Sequence, residues 1–308
     1  VSAVGDPADG TPHDLHGDDG PGAHPAPGPS AASRTAASGT AAAATAAGTA
    51  AARDGARPGD AVTLPARWAD DPFLLDERLW WRPAEVRTDG DAMLLVQRAT
   101  SGTDATMLLA VGPAEQVAGL VRAHARPGHR FAWVDTDALG LLRADEVAGL
   151  GLRPNRTGWE WLATRTAPAP VAAEARVREL DPRADADAIR ACLADANPTT
   201  DADPSGDGER WWGAVDPAGR LGGVIGAGPR PGRHGGHGSA HLHGLGVRPG
   251  ERGQGLGAAL TAAAVRALLA DGADWVSLGM WDDNHGARRI YHRLGLRTIH
   301  RLTTLRTP

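Results

Sequence analysis

The chain has 308 residues, a formal net charge of -5 and a pI near 6.2, a balance that gives no global attraction to nucleic acid. Its 32 basic residues are all Arg, which excludes a Lys-dependent Walker A phosphate loop. The lone Cys192 excludes both an intrachain disulfide and a Cys-based zinc knuckle, and in its apolar setting reads as a small core residue.

Residues 1–60 are almost entirely Ala, Gly, Pro, Ser, Thr, Asp and His, with Val1, Val4 and Leu15 as the larger aliphatics. Such a stretch buries too little apolar surface to offset its ordering entropy and is expected to be a disordered leader. It lacks the basic start and apolar run of a secretory signal, and its Ala-rich part, 41–52, is too short to cross a bilayer. No membrane association and a cytoplasmic location are expected.

Periodic segments begin near residue 65. Strands are expected at 92–99 and 105–111, a helix with Pro in its first turn at 113–125, and a strand at 131–134. A helix follows at 141–148, then a strand at 158–166 that alternates Trp159, Trp161 and Ala163 as a half-buried strand does. After Thr-Ala-Pro-Ala-Pro-Val at 166–171, the order resumes with a helix at 186–196, strands at 210–215 and 221–227, and a third at 240–247. A helix at 252–270, a strand at 274–280, a helix at 284–294 and a strand at 298–305 complete the chain.

Leu150-Gly151-Leu152-Arg153 precedes Thr164-Arg165-Thr166 as Leu294-Gly295-Leu296-Arg297 precedes Leu305-Arg306-Thr307. This short self-similarity predicts a duplication, with one domain at 65–166, a linker at 167–175 and a second domain at 176–308.

The segment Ala240-His241-Leu242-His243-Gly244-Leu245-Gly246-Val247 puts His241 and His243 on one side of a strand. Its two glycines predict a bulge or a close backbone approach. Histidine titrates near neutral pH, so both residues are general-base candidates, although they could equally be polar lining. With His234 and His237 they could also form a metal cluster, but those two sit in a Gly-rich stretch without an acidic partner, and no metal is expected.

After this strand Arg248-Pro249-Gly250-Glu251 lead into Arg252-Gly253-Gln254-Gly255-Leu256-Gly257 and Ala258, at the start of the Ala-rich helix. Alternate glycines let backbone approach a ligand, and a first helical turn offers unbonded N–H groups and a partial positive charge, as a pyrophosphate requires. Two other readings exist: a turn that merely packs helix on sheet, and a relaxed Rossmann fingerprint. The Rossmann motif wants its first Gly directly after the strand, whereas five residues separate Val247 from Gly253. In the next helix, Ala287, Ile290, Tyr291 and Leu294 share one face, which turns Tyr291 into the fold; Asp283 or Asn284 is the candidate N-cap.

Arg-x-x-Gly-x-Gly after a strand, followed by Asn284-x-x-Ala287-x-x-x-Tyr291 and a Leu-Gly step, resembles the acyl-CoA signature of the GNAT superfamily of N-acetyltransferases. The Ala-His-Leu-His-x-Leu-x-Val strand is similar to that of the serotonin (arylalkylamine) N-acetyltransferase family. The resemblance covers 176–308 and implies an α/β fold with a mixed sheet, here as two tandem GNAT-like domains. The first of these is degenerate, because Val111-Gly112-Pro113-Ala114-Glu115-Gln116 replaces the cradle.

The resemblance further implies acetyl-CoA as acyl donor. Its pantetheine arm would lie along the backbone of Leu245, Gly246 and Val247, its pyrophosphate on residues 252–258, and Asn284 beside it. His241 and His243 would relay the acceptor's proton, and Tyr291 would protonate the departing thiolate. With no Cys in these motifs, direct transfer within a ternary complex is expected, to a small-molecule amine or a peptide N-terminus. Two alternatives are a tandem enzyme acting on a specialised small amine, as in the mycothiol synthase family, and a non-catalytic acyl-CoA-binding regulator. Asp201, Asp203 and Asp207 are candidates to attract a cationic acceptor, or form a solvated loop.

Overall fold

The structure is a computed structural model that describes residues 64–100, 105–155, 158–216 and 218–308, without the side chains of 235–237; the leader read over 1–60 lies outside these residues. Helices α1 (Ala66–Ala69) and α2 (Pro72–Glu77) come first. Asp71 caps α2 by accepting from the Leu74 amide at 3.1 Å, and Pro72 occupies the first turn. Both helices are too short to display an amphipathic period, so the sequence does not announce them.

Strands β1 (Trp81–Asp89), β2 (Ala92–Ala99) and β3 (Thr106–Val111) form an antiparallel meander. The chain then crosses through α3 (Ala114–His124) to β4 (Phe131–Asp135), parallel to β3. The single helix expected at 141–148 is instead two short ones, α4 (Thr136–Leu139) and α5 (Ala144–Ala148), because Gly140 ends the first and Arg143 opens the second. Strands β5 (Arg153–Pro154) and β6 (Trp159–Thr164) close this half.

The second half opens with a 3-10 turn (Ala172–Arg176), then β7 (Val177–Leu180), α6 (Ala186–Ala196), β8 (Arg210–Val215), β9 (Leu221–Gly232) and β10 (Gly235–Val247). A second 3-10 turn (Pro249–Glu251) leads into α7 (Leu256–Ala270), β11 (Val276–Trp281), α8 (His285–Arg293) and β12 (Arg297–Arg306). Strands β8, β9 and β10 are antiparallel, and α7 carries the chain from β10 to the parallel β11, the same crossover that α3 makes between β3 and β4.

Among the described residues all strands join one sheet in the order β1-β2-β3-β4-β12-β6-β11-β10-β9-β8-β7, with β5 alongside β12. The two halves exchange their last strands. Strand β12 lies between β4 and β6, and β6 lies between β12 and β11, so the sheet is continuous across the chain's midpoint.

The alternation in β6 decides what covers each face. Leu162 joins Leu242, Leu278 and Tyr291 under α7 and α8, while Trp159, Trp161 and Trp275 point to the opposite face and pack with Phe73 and Leu75 of α2. The first half thus places α2 against the centre of the sheet, directly over β10 and β11.

Candidate active site

Strand β10 pairs with β11 only over Ala240–Val276, His241–Ser277 and Leu242–Leu278, after which the two strands separate into a fork. The register of β10 against β9 slips between His243–Gly226 and Gly246–Val224: three residues on β10 oppose two on β9. This bulge centres on Gly244, whose φ of +61 is left-handed and whose missing Cβ would lie 2.8 Å from Ala202 Cβ. The bulge is held from behind, where Asn197 Nδ2 donates to the Leu245 carbonyl at 3.2 Å.

Beyond the fork lies a cleft with about 520 Å³ of room. Leu245 and Val247 form its near wall; Arg252, Gly253, Gly255, Leu256, Gly257 and Ala258 form its floor; Asn284 and Tyr291 lie on the far side. Gly253 and Gly255 have φ of +76 and +78, so residues 252–255 turn before the helix begins at Leu256, not at 252 as the periodicity suggests. No atom from outside the turn and its helix lies within 4 Å of where a Cβ on Gly253 or Gly257 would stand, so the space beside these two glycines is open.

The turn is braced from outside. Arg252 Nε donates to the Val247 carbonyl at 3.1 Å, and Arg176 donates to Gln254 Oε1 at 2.8 Å and to Glu251 Oε2 at 2.7 Å. Gln254 therefore turns away from the cleft, and the Cα of Gly246 faces Ala196, 2.9 Å from where its Cβ would be. Cationic residues that the motif does not mark, Arg289 and Arg293 on α8, also line the cleft.

Asn284 caps α8, its side chain accepting from the Ala287 amide at 3.0 Å. One turn further on, Tyr291 is 7% exposed, and burial pushes its phenol up to about 12. It remains a proton donor throughout the neutral range.

The histidines lie on the other face of the sheet. His241 Nδ1 is 2.9 Å from Ser277 Oγ, which in turn donates to Asp76 Oδ2 at 2.9 Å, with the Ala240 carbonyl a longer alternative at 3.3 Å. Asp76 also accepts from Ser239 at 3.0 Å and from Trp275 Nε1 at 3.2 Å. Burial raises its carboxyl to about 7, against the opposing pull of Arg230 and these three donors.

His243 differs. Its Nε2 is 2.7 Å from Glu209 Oε2, its ring meets Trp211 edge-on at 5.5 Å, and its Nδ1 is buried without a hydrogen-bond partner among the described residues. The glycine across the ladder admits the His243 ring: a Cβ on Gly226 would lie 2.7 Å from His243 Cε1.

Asp76, Ser277 and Glu209 carry no local motif and become visible only through the pairing of distant segments. Of the acidic loop, Asp203 is bound to Arg190 at 2.9 Å and to Ser205, which hold its carboxyl well below the usual range; it is engaged within its own loop. Among the described residues no group of three or more His, Cys, Asp or Glu could hold a metal ion; the side chain of His237 lies outside those described. No helix among the described residues is long and apolar enough to cross a membrane.

Residues 175–296 match the model of the Acetyltransferase (GNAT) family. The chain is 35% identical over 273 residues to the mycothiol acetyltransferase of Salinispora tropica, covering 79% of this chain and 84% of that protein. Among solved structures, a GCN5-related N-acetyltransferase from Kribbella flavida aligns at 21% identity and TM-score 0.46, covering 80% of this chain and 97% of that one. A GNAT-family acetyltransferase from Colwellia psychrerythraea aligns at 14% identity and TM-score 0.45, covering 80% and 91%.

Proposed function

The chain belongs to the GNAT acetyltransferase family, and from that premise we propose that it transfers the acetyl group of acetyl-CoA to a primary amine across the fork between β10 and β11. The observation that carries this reading is the cleft itself, which unites the bulged strand, the glycine turn and Tyr291 on one side of that fork. Its left-handed glycines, the open space beside Gly253 and Gly257 and lining Arg252, Arg289 and Arg293 suit a polyphosphate, and the apolar wall of Leu245, Val247 and Ile290 suits a pantetheine arm. The donor supplies an acetyl group activated as a thioester.

The chain's own residues do the rest. Backbone amides at the bulge polarise the thioester carbonyl. His241 serves as general base: Ser277 Oγ accepts from its Nδ1 and itself donates to Asp76, which fixes the tautomer with the lone pair on Nε2 and stabilises the imidazolium that forms. Tyr291 gives its proton to the departing sulfur. Of the two protons the ammonium loses, one goes to His241 and on to solvent, and the other replaces the proton given up by Tyr291. His243 is held by Glu209 and acts as a polar wall.

A small-molecule acceptor is the reading that the similarity to a mycothiol acetyltransferase favours over a peptide N-terminus. The first half, without a cradle of its own, takes part through α2 and β6. Screening primary amines for acetyl-CoA-dependent CoA release, with detection of the N-acetylated product, tests the proposal; acetyl-CoA binding without amine-dependent release across the screen would favour the regulatory alternative.

A further inference from the structure

A second, much smaller space lies on the α2 face of the same fork. Aromatic rings wall it: Phe73 and Trp80 come from the start of the chain, and Trp159 and Trp161 come from β6. Gly279, the first residue of β11 past its pairing with β10, opens onto it, and His241 lies at its edge. Its free room, about 10 Å³, is that of one water-sized group.

Two consecutive acids of α2, Asp76 and Glu77, also line this void, and they are in different states. Asp76 is satisfied by three donors. Glu77 is 5% exposed, yet its Oε2 has no hydrogen-bond partner among the described residues. A carboxylate oxygen buried in this way is costly unless something donates to it.

The charges point the same way. Among the described residues the fixed cation facing Asp76 and Glu77 is Arg230, whose guanidinium lies 4.7 Å from the centre of the Trp80 ring; His241 Nδ1, 3.9 Å from Asp76 Oδ2, adds a charge only when protonated. In the empty void burial leaves a proton on Glu77, and an ammonium that takes the place of this proton leaves both acids ionised against two cations. The complement of a water-sized space with aromatic walls and a buried carboxyl whose Oε2 lacks a partner among the described residues is a small cation that donates hydrogen bonds: an ammonium group.

Building on the acetyltransferase reading above, we propose that this void is the head-group site of the acceptor, where the amine arrives as its ammonium form and donates to Glu77. One N–H bond then breaks, the proton goes to the His241 imidazole, and the freed lone pair attacks the thioester carbon across the fork; as the C–S bond breaks Tyr291 protonates the sulfur, and a second N–H proton of the new amide nitrogen replaces the one Tyr291 gave up. Glu77, supplied by the half that lacks a cradle, is the residue that selects a charged primary amine. The room available admits only the head group, so the rest of the acceptor lies outside the aromatic walls.

The test uses the full chain, with ethylammonium chloride as probe against equimolar sodium chloride, and acetyl-CoA binding followed in parallel by calorimetry. Ethylammonium should raise the Tm of the wild type above the sodium chloride control. Tetraethylammonium, too large for the void, should not. Glu77→Gln should abolish the ethylammonium shift, Glu77→Asp should retain part of it, and both should bind acetyl-CoA as the wild type does. An equal shift in Glu77→Gln, or no ethylammonium shift in a wild type that binds acetyl-CoA, overturns the site. Absence of acetyl-CoA binding by the wild type would instead overturn the reading beneath it. If Glu77→Gln does not fold, the wild-type contrast decides: an equal shift from ethylammonium and tetraethylammonium rejects the void.

Discussion

The hydroxyl of Ser277 on β11 donates to the carboxylate of Asp76 at 2.9 Å across 201 residues of chain, and the same hydroxyl receives the imidazole of His241 at 2.9 Å. A helix from the half that lacks a cradle thereby orients the candidate base of the other half. Ser277→Ala removes this link without adding bulk. Loss of one charge-linked hydrogen bond is expected to lower kcat about 10- to 100-fold. Acetyl-CoA affinity should be unchanged, because the cleft lies on the opposite face. An unaltered rate and pH profile would place His241 among the wall residues.

Tyr291→Phe keeps the ring that packs under α7 and removes only the hydroxyl. It should lower kcat by about 10²- to 10⁴-fold while leaving acetyl-CoA binding intact. Because burial holds the wild-type phenol up to about 12, Tyr291 stays protonated through the usual assay range and contributes no basic limb to the rate profile. A basic limb near the ordinary tyrosine range that vanished in Tyr291→Phe would contradict this assignment.

Gly255 separates folding from binding. Its φ is +78, and the nearest side-chain atom to a built Cβ is Ala173 Cβ at 3.8 Å, so Gly255→Ala meets a backbone penalty and no clash. A loss of about 1–2 kcal/mol in stability is expected, with the fold retained. Acetyl-CoA binding should weaken by more than that penalty explains, as read by calorimetry on the folded variant.

Glu77 leaves a signature in the pH dependence of stability. Burial raises its carboxyl from 4.5 to about 8, the Asp76 charge adds to the rise, and Arg230 opposes it; His241 lies on the same void. Between these values the folded state holds a proton that the unfolded state has lost, so this group's contribution to stability falls as pH rises and levels off above about 8. Glu77→Gln removes that slope. Relative to the wild type it should gain on the order of a few kcal/mol between about pH 5 and about pH 8 in urea melts. Parallel stability curves would show that Glu77 is not held protonated.

The strand exchange predicts the fate of a shortened chain. In residues 170–308 alone, β12 loses β4, β5 and β6, its partners on both edges, and β11 loses β6. Such a fragment should fail to give a cooperative melt, whereas adding back residues 65–169 should restore it. A fragment with the full chain's melting behaviour would mean that the exchanged pairings add little to stability.

The cradle and the bulge are legible in the sequence because both depend on local chemistry: glycines at fixed offsets after a strand, and a helix whose one face carries Ala287, Ile290, Tyr291 and Leu294. The alternation of Trp159, Trp161 and Ala163 likewise marks β6 through its period of two. The exchange of β6 and β12 is not legible, because strand order is set by long-range pairing and leaves no periodic trace. Asp76 and Glu77 are hidden for a related reason: on a six-residue helix they look like ordinary surface acids, and only the docking of α2 over Ser277 and Trp275 buries them.

Calorimetric titration of the full chain with acetyl-CoA tests most directly whether the cleft between the bulged strand and α8 is the donor site. Saturable binding of one acetyl-CoA per chain is predicted, weakened in Gly255→Ala and preserved in Ser277→Ala and Tyr291→Phe. No binding by the wild type, or binding that Gly255→Ala leaves unchanged, would contradict that assignment.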